Sequence, residues 1–371
     1  MKAKNIPLMV PDIQQQDIDA VVDVLKSGML IQGRIVETLE FQLAKYLKVD
    51  FAIATSSGTS TLHLALLALG IGKGDEVIVP ALSFVATANV VELVGATPVF
   101  VDIELNTSNI DVNVLEQKIT TNTKAIIPVH EFGMACNIVE IMKFSKKHNI
   151  AVIEDAACAL GAKLNNDFAG TFGDFGSFSF HPRKAITSGE GGLLVTNSET
   201  LANRIRTLRN HGFSLINCNN CLIEAGFNYR MTDIQAALVL SQFQRFETIL
   251  SAKHQLAQLY LKKLANLDLI LPFVQPNSIH TWQSFHVVLP QRIDRNRVIQ
   301  KFKELGVGVN LGAQCIPNEY YYKEKYKLDC HKFFPNALLA NTNGLVLPLY
   351  ERLSEDDILH ICDLLKEMLD E

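Results

Sequence analysis

No stretch of this sequence approaches the ~20 consecutive apolar residues that a membrane-spanning helix requires. Residues 1–11 lack a charged segment followed by a long apolar run and a small-residue cleavage site, so no secretory signal is expected. No long basic block occurs, and the formal net charge is −5, which leaves no electrostatic footprint for nucleic acid or an anionic membrane. Internal repeats and low-complexity segments are also missing, and their absence excludes solenoids and long linkers. The seven cysteines are odd in number and scattered, a usage that fits reduced thiols in a cytoplasmic protein. Cys218 and Cys221 have the spacing of metal ligands, but no second pair accompanies them. They are read as two free thiols in an ordinary loop, and no metal site is expected.

What is present is a chain of 371 residues, 48% hydrophobic and 20% charged with both signs mixed, which is the balance of a globular protein. That length favours two domains or one large α/β unit. Apolar residues at helical spacing (Ile18, Val21, Val22, Leu25) predict a helix over 15–26 that stops at Gly28, and a second helix follows over 36–47. From there short β-branched runs alternate with amphipathic stretches. Strands are expected at 52–54, 76–79, 98–101, 125–128, 151–154, 176–180 and 193–196, and helices at 60–69, 85–93, 138–148 and 199–209. This alternation predicts an α/β fold whose mostly parallel sheet carries helices on both faces. A long helix over 232–250 closes the region. The pattern beyond it predicts a smaller α+β domain, with a strand at 284–289 and helices at 295–305 and 355–369, so the domains are expected at 1–250 and 251–371.

Three segments carry chemistry. Ser56-Ser57-Gly58-Thr59-Ser60 follows a strand and opens a helix, where free N–H groups and the helix dipole can seat an anion; an ordinary N-cap reads the same way. Val152-Ile153-Glu154-Asp155 ends a buried run in two acids, and an acid at the carboxyl end of a central strand lies where open α/β sheets bind ligands. A helix N-cap acid is the plain alternative. In Ser177-Phe178-Ser179-Phe180-His181-Pro182-Arg183-Lys184, followed by Gly189-Glu190-Gly191-Gly192, a strand ends at a proline and presents a lysine from a turn braced by glycines. A lysine held near an electrophile can form a Schiff base, whereas a lone lysine is usually a solvated surface group.

Together these segments resemble the DegT/DnrJ/EryC1/StrS sugar aminotransferases, a branch of the fold-type-I enzymes of pyridoxal 5′-phosphate (PLP). The resemblance also runs through Gly74-Asp75-Glu76-Val77-Ile78-Val79-Pro80, Gly95-Ala96-Thr97-Pro98, Pro128-Val129-His130, Gly226-Phe227-Asn228-Tyr229-Arg230-Met231, Trp282-Gln283-Ser284-Phe285 and Leu347-Pro348-Leu349-Tyr350. It implies that Lys184 holds the cofactor covalently and moves the proton during catalysis, and that Asp155 pairs with the ring nitrogen. It further implies that Gly58, Thr59 and Ser179 contact the phosphate, that Asn228 reaches the phosphate of a neighbouring subunit, and that Phe84 stacks on the ring. One position departs from the pattern: Cys158 stands where the family carries Gln or His toward the phenolic oxygen, and a thiol is a weak donor there. The implied partners are L-glutamate, a nucleotide-linked keto sugar and a second copy of the chain in a homodimer. A PLP-dependent sugar dehydratase and a non-catalytic PLP-binding regulator are the alternatives. Direct roles for His130, His181 and Arg230 stay open, Glu190 is unassigned, and Tyr320-Tyr321-Tyr322 is read as a wet surface turn.

Overall fold

The computed structural model describes residues 5–214 and 221–370. Seven strands form its main sheet: β1 (Phe51–Thr55), β2 (Glu76–Pro80), β3 (Thr97–Val101), β4 (Thr123–Ile126), β5 (Ala151–Asp155), β6 (Phe175–Ser179) and β7 (Gly192–Thr196). Their spatial order is β1-β7-β6-β5-β4-β2-β3, and β7 is the one strand of this sheet that runs antiparallel to its neighbours. The fold is α/β with a mostly parallel sheet, as the alternating pattern predicts.

The strands read as continuous apolar runs because both faces are buried. Ala52, Ala54, Ile78 and Val152 pack into one core, while their chain neighbours Ile53, Val77, Val79 and Ile153 point into the other. Helices α1 (Gln15–Ser27), α2 (Arg34–Leu47), α3 (Gly58–Ala68), α4 (Ala86–Leu93), α5 (Ile138–His148) and α6 (Glu199–Arg209) precede or connect the strands.

The helix expected over 232–250 is instead two, α7 (Asp233–Phe243) and α8 (Phe246–Leu264). The break falls at Arg245, whose guanidinium is drawn into ion pairs at 2.7 Å with Asp12 and Asp17. A separate core joins Ile6 to Leu256, Tyr260, Trp282, Phe285 and the C-terminal helix Glu355–Asp370. Within it the expected strand near 284–289 is Phe285–Val288, paired antiparallel with Gly344–Leu347. Among the described residues no helix is long and apolar enough to cross a membrane.

Two sequence expectations change. Cys221 is disulfide-bonded, not a free thiol; Cys218 lies outside the described residues. Tyr320–Tyr326 is a helix docked on α4 and not a turn: Tyr320 and Tyr321 are exposed, as expected, but Tyr322 is buried and donates to Asn89 Oδ1 at 2.6 Å, and Lys325 and Tyr326 both engage Glu92.

Candidate active site

The parallel strands all deliver their carboxyl ends to one rim, and the residues singled out in the sequence gather there. At the end of β1, Ser57 caps α3 by accepting from Ser60 N at 3.1 Å. This leaves Gly58 and Thr59 to open the first helical turn, the position where amides and dipole favour an anion. A Cβ on Gly58 would sit 2.9 Å from Ser179 Cβ at the end of β6. Only a residue without a side chain lets the helix start and the serine approach this closely.

The two acids ending β5 point to opposite faces, as strand alternation requires. Glu154 turns inward and accepts from the amides of Gly170, Phe172 and Gly173 and from His130 Nε2 at 2.8 Å. His130 Nδ1 in turn accepts from Cys136 N, so both nitrogens of this buried ring are committed to the scaffold. Asp155 faces the rim. Its carboxylate accepts from Thr87 Oγ1 at 2.8 Å and from Ala157 N at 3.2 Å, and burial holds its pKa above the usual carboxylate value.

Lys184 follows β6 in a turn closed by its amide donating to His181 O. Its Nζ donates to Cys158 Sγ at 3.0 Å. Burial opposes the ammonium, yet Cys158 and the fields of Asp155 and Glu131 outweigh it and raise its pKa. Burial in turn raises the pKa of the Cys158 thiol, against the pull of the Lys184 ammonium. Phe84 lies between the Leu82–Ser83 strand and α4, and 64% of its surface is exposed. Asn228 is exposed and bridges Asn210; the next residue, Tyr229, accepts from Ser56 N at 2.9 Å beside the α3 start.

Other residues serve the scaffold. Arg230 donates to Asn210 Oδ1 at 2.7 Å, and His181 Nδ1 accepts from Arg183 N. Glu190 is exposed, and its backbone oxygen accepts from Ser188 and Gln235.

Two polar groups went unnoticed in the sequence. Glu131 follows β4 and is buried, and burial with the field of Asp155 pushes its pKa up to about 7. An acid after the apolar run Ile126-Ile127-Pro128-Val129 is the same signal that pointed to Asp155. Lys253 on α8 is fully buried beside the field of Glu351, and burial lowers its pKa to about 8.

An amine, an acid at a strand end, an anion seat and an exposed aromatic on one rim suit a flat ring bearing an aldehyde, a basic nitrogen and a phosphate. The model of the DegT/DnrJ/EryC1/StrS aminotransferase family matches residues 11–366. GDP-perosamine synthase of Caulobacter vibrioides is 37% identical, with 98% of each chain covered. Spr1654 of Streptococcus pneumoniae, described as a sugar aminotransferase and solved in PLP and PMP forms, superimposes with TM-score 0.92 at 30% identity. That match covers 99% of this chain and 98–99% of that one. PseC of Helicobacter pylori, an aminotransferase involved in the biosynthesis of pseudoaminic acid, is 26% identical with TM-score 0.90, over 99% of this chain and 100% of that one. With the family model spanning nearly its whole length, the chain belongs to the DegT/DnrJ/EryC1/StrS aminotransferase family.

Proposed function

We propose that the chain is a cytoplasmic aminotransferase that uses PLP to move an amino group from L-glutamate to a keto group of a nucleotide-linked deoxysugar, C4 in preference to C3, for glycan biosynthesis. The observation that carries this reading is the approach of Lys184 Nζ to Cys158, beside the Asp155 carboxylate and on the rim that also holds the α3 start. When bound, PLP supplies an aldehyde for an amine and a ring that draws electrons from the substrate carbon.

The protein does the rest. Lys184 holds the cofactor and then, freed by the incoming amino acid, carries the proton on Nζ as general acid and base. Asp155 places a carboxylate at the ring nitrogen in a buried setting, where an unpaired charge is costly. Gly58 and Thr59 amides and the Ser179 hydroxyl hold the phosphate, and Phe84 covers the ring. Cys158 occupies the phenolic side as a weak donor. Asn228 acts on the phosphate of a second subunit in a homodimer, which fits its exposure, and the paired subunits exclude water. In this reading residues 1–250 hold the cofactor and 251–371 close over it.

The test is spectroscopic. L-glutamate added to the yellow protein should convert its absorbance to that of the amine form, and a nucleotide-linked 4-keto sugar should restore it. Failure of every amino acid tried to cause conversion would refute turnover.

A further inference from the structure

β5 and β6 are adjacent parallel strands, so the turns that leave their carboxyl ends emerge side by side on the rim. Cys158 lies in the turn after β5, and Lys184 lies in the turn after β6. One short stretch fixes both turns: Thr281 Oγ1 donates to Cys158 O at 3.3 Å, and Gln283 Nε2 donates to Arg183 O at 3.2 Å. Each turn is also closed from within, Ala159 N donating to Ala156 O and Lys184 N to His181 O, both at 2.8 Å. Two nucleophiles are thereby held together, with Lys184 Nζ 3.0 Å from Cys158 Sγ. A cavity of about 10 Å³ opens beside them, walled in part by Ser179, Thr281 and Gln283.

The proposed function uses the amine but makes no use of the oxidation chemistry of the sulfur. A cysteine oxidised to the sulfenic acid condenses with whatever nucleophile stands against it, and nitrogen gives a sulfenamide. Here the group in contact with Sγ is an amine. Of the described free cysteines, Cys136, Cys315, Cys330 and Cys362 are buried, and Cys158 alone is partly open.

We propose that Cys158 and Lys184 form a reversible covalent sulfur–nitrogen bond when the cofactor-free protein meets hydrogen peroxide. In the first step Cys158 Sγ attacks one peroxide oxygen; the O–O bond breaks, the sulfur becomes a sulfenic acid, and the thiol proton leaves with the second oxygen as water. In the second step the neutral Lys184 Nζ attacks that sulfur, the S–O bond breaks, and the hydroxyl leaves with one amine proton as a second water. The sulfur gives up two electrons, the peroxide takes them, and the protein loses two hydrogens. A cavity of about 10 Å³ is close to the least space that holds one water, which gives the departing molecule a place beside the reacting atoms. The flexible stem of the lysine lets Nζ close the remaining distance. A dithiol reverses the reaction, since it returns the thiol and the amine and leaves as a cyclic disulfide.

The charges around the pair set its rate. Burial raises the pKa of Cys158, and Glu131 and Asp155, after β4 and at the end of β5, act in the same sense; the Lys184 ammonium opposes them. Lys253 on α8 adds its field to both members of the pair. Thiolate and neutral amine both become more abundant as pH rises, so the bond should form faster in alkaline solution. On the reading that Lys184 holds PLP, and resting on it, the bond occupies the one amine the cofactor needs: the oxidised chain cannot be loaded until it is reduced, and a loaded chain is protected.

Peptide mapping by mass spectrometry tests the bond without turnover. The full-length, cofactor-free protein is treated with hydrogen peroxide at alkaline pH and digested without reductant. The peptides containing Cys158 and Lys184 should appear as one linked species, lighter than their sum by two hydrogen atoms, and dithiothreitol should release both. Cys158→Ser should give no linked species, and in Lys184→Ala the sulfenic acid should persist and be trapped by a 1,3-diketone. Wild-type protein that gains oxygen on Cys158 without a link, that leaves both residues unmodified, or whose link survives dithiothreitol would overturn the proposal. Bound PLP should prevent the link, and oxidised protein should take up PLP only after dithiothreitol. If the link forms equally with PLP bound, or if wild-type protein takes up no PLP, the functional reading fails, and the map of the cofactor-free protein still decides the sulfur–nitrogen bond by itself.

Discussion

Lys184 Nζ donates to Cys158 Sγ at 3.0 Å, so the amine proposed to bind the cofactor is held by the one position that departs from the family pattern. A thiol is a weak donor on the phenolic side, where a glutamine would donate an N–H. Cys158→Gln should therefore lower the pH midpoint at which the absorbance of the lysine-bound cofactor changes, because a stronger donor favours the phenolate without the lysine proton. An absorbance titration of both proteins checks this, and identical midpoints would count against a role for Cys158 at the cofactor.

Asp155→Asn removes one member of a buried charge pair, a loss of about 3–5 kcal/mol when the partner stays behind. Turnover should fall by about two to four orders of magnitude, while melting temperature changes far less because the Asn oxygen can accept from Ala157 N while its amide donates to Thr87 Oγ1. Steady-state kinetics beside a thermal scan separates the two effects. Near-normal turnover would contradict the ring-nitrogen role.

Gly58→Ala places a methyl group 2.9 Å from Ser179 Cβ, and overpacking of this kind costs about 1–3 kcal/mol. If the α3 start and Ser179 together seat the phosphate, PLP affinity should weaken by about tenfold or more. Equilibrium titration of cofactor-free protein with PLP measures this. Wild-type affinity in the variant would remove the phosphate seat from this place.

Acid should destabilise the chain through two buried histidines. Burial, aided at His280 by the charges of Lys253 and His254, lowers His280 and His286 from the ordinary 6.5 to about 3. Between those values the unfolded chain binds more protons than the folded one, so their contribution is complete above about pH 6.5 and is lost as pH falls toward about 3. His286→Leu removes one of the two uptakes and should flatten the fall of unfolding free energy with pH over that window. Urea unfolding at a series of pH values checks it, and an unchanged slope would contradict the assignment.

Much of this architecture was legible in the sequence because strands buried on two faces leave unbroken apolar runs, and Gly58, Asp155 and Lys184 stand at their ends. The break between α7 and α8 was not legible. Gln244 and Arg245 are good helix formers, and the kink comes from Asp12 and Asp17, more than two hundred residues away in the chain. Two-residue ladders such as Leu82–Ser83 with Gln314–Cys315 carry too little pattern to be seen. Glu131 is different. It obeys the rule that singled out Asp155, but only the fold shows it buried within the field of that acid.

Borohydride reduction of the PLP-loaded protein, followed by peptide mapping, is the most direct test of where the cofactor is held. The fixed cofactor should appear on the peptide containing Lys184, and Lys184→Ala should show none. An adduct on another lysine, for instance the buried amine of Lys253, with Lys184 unmodified, would contradict the account.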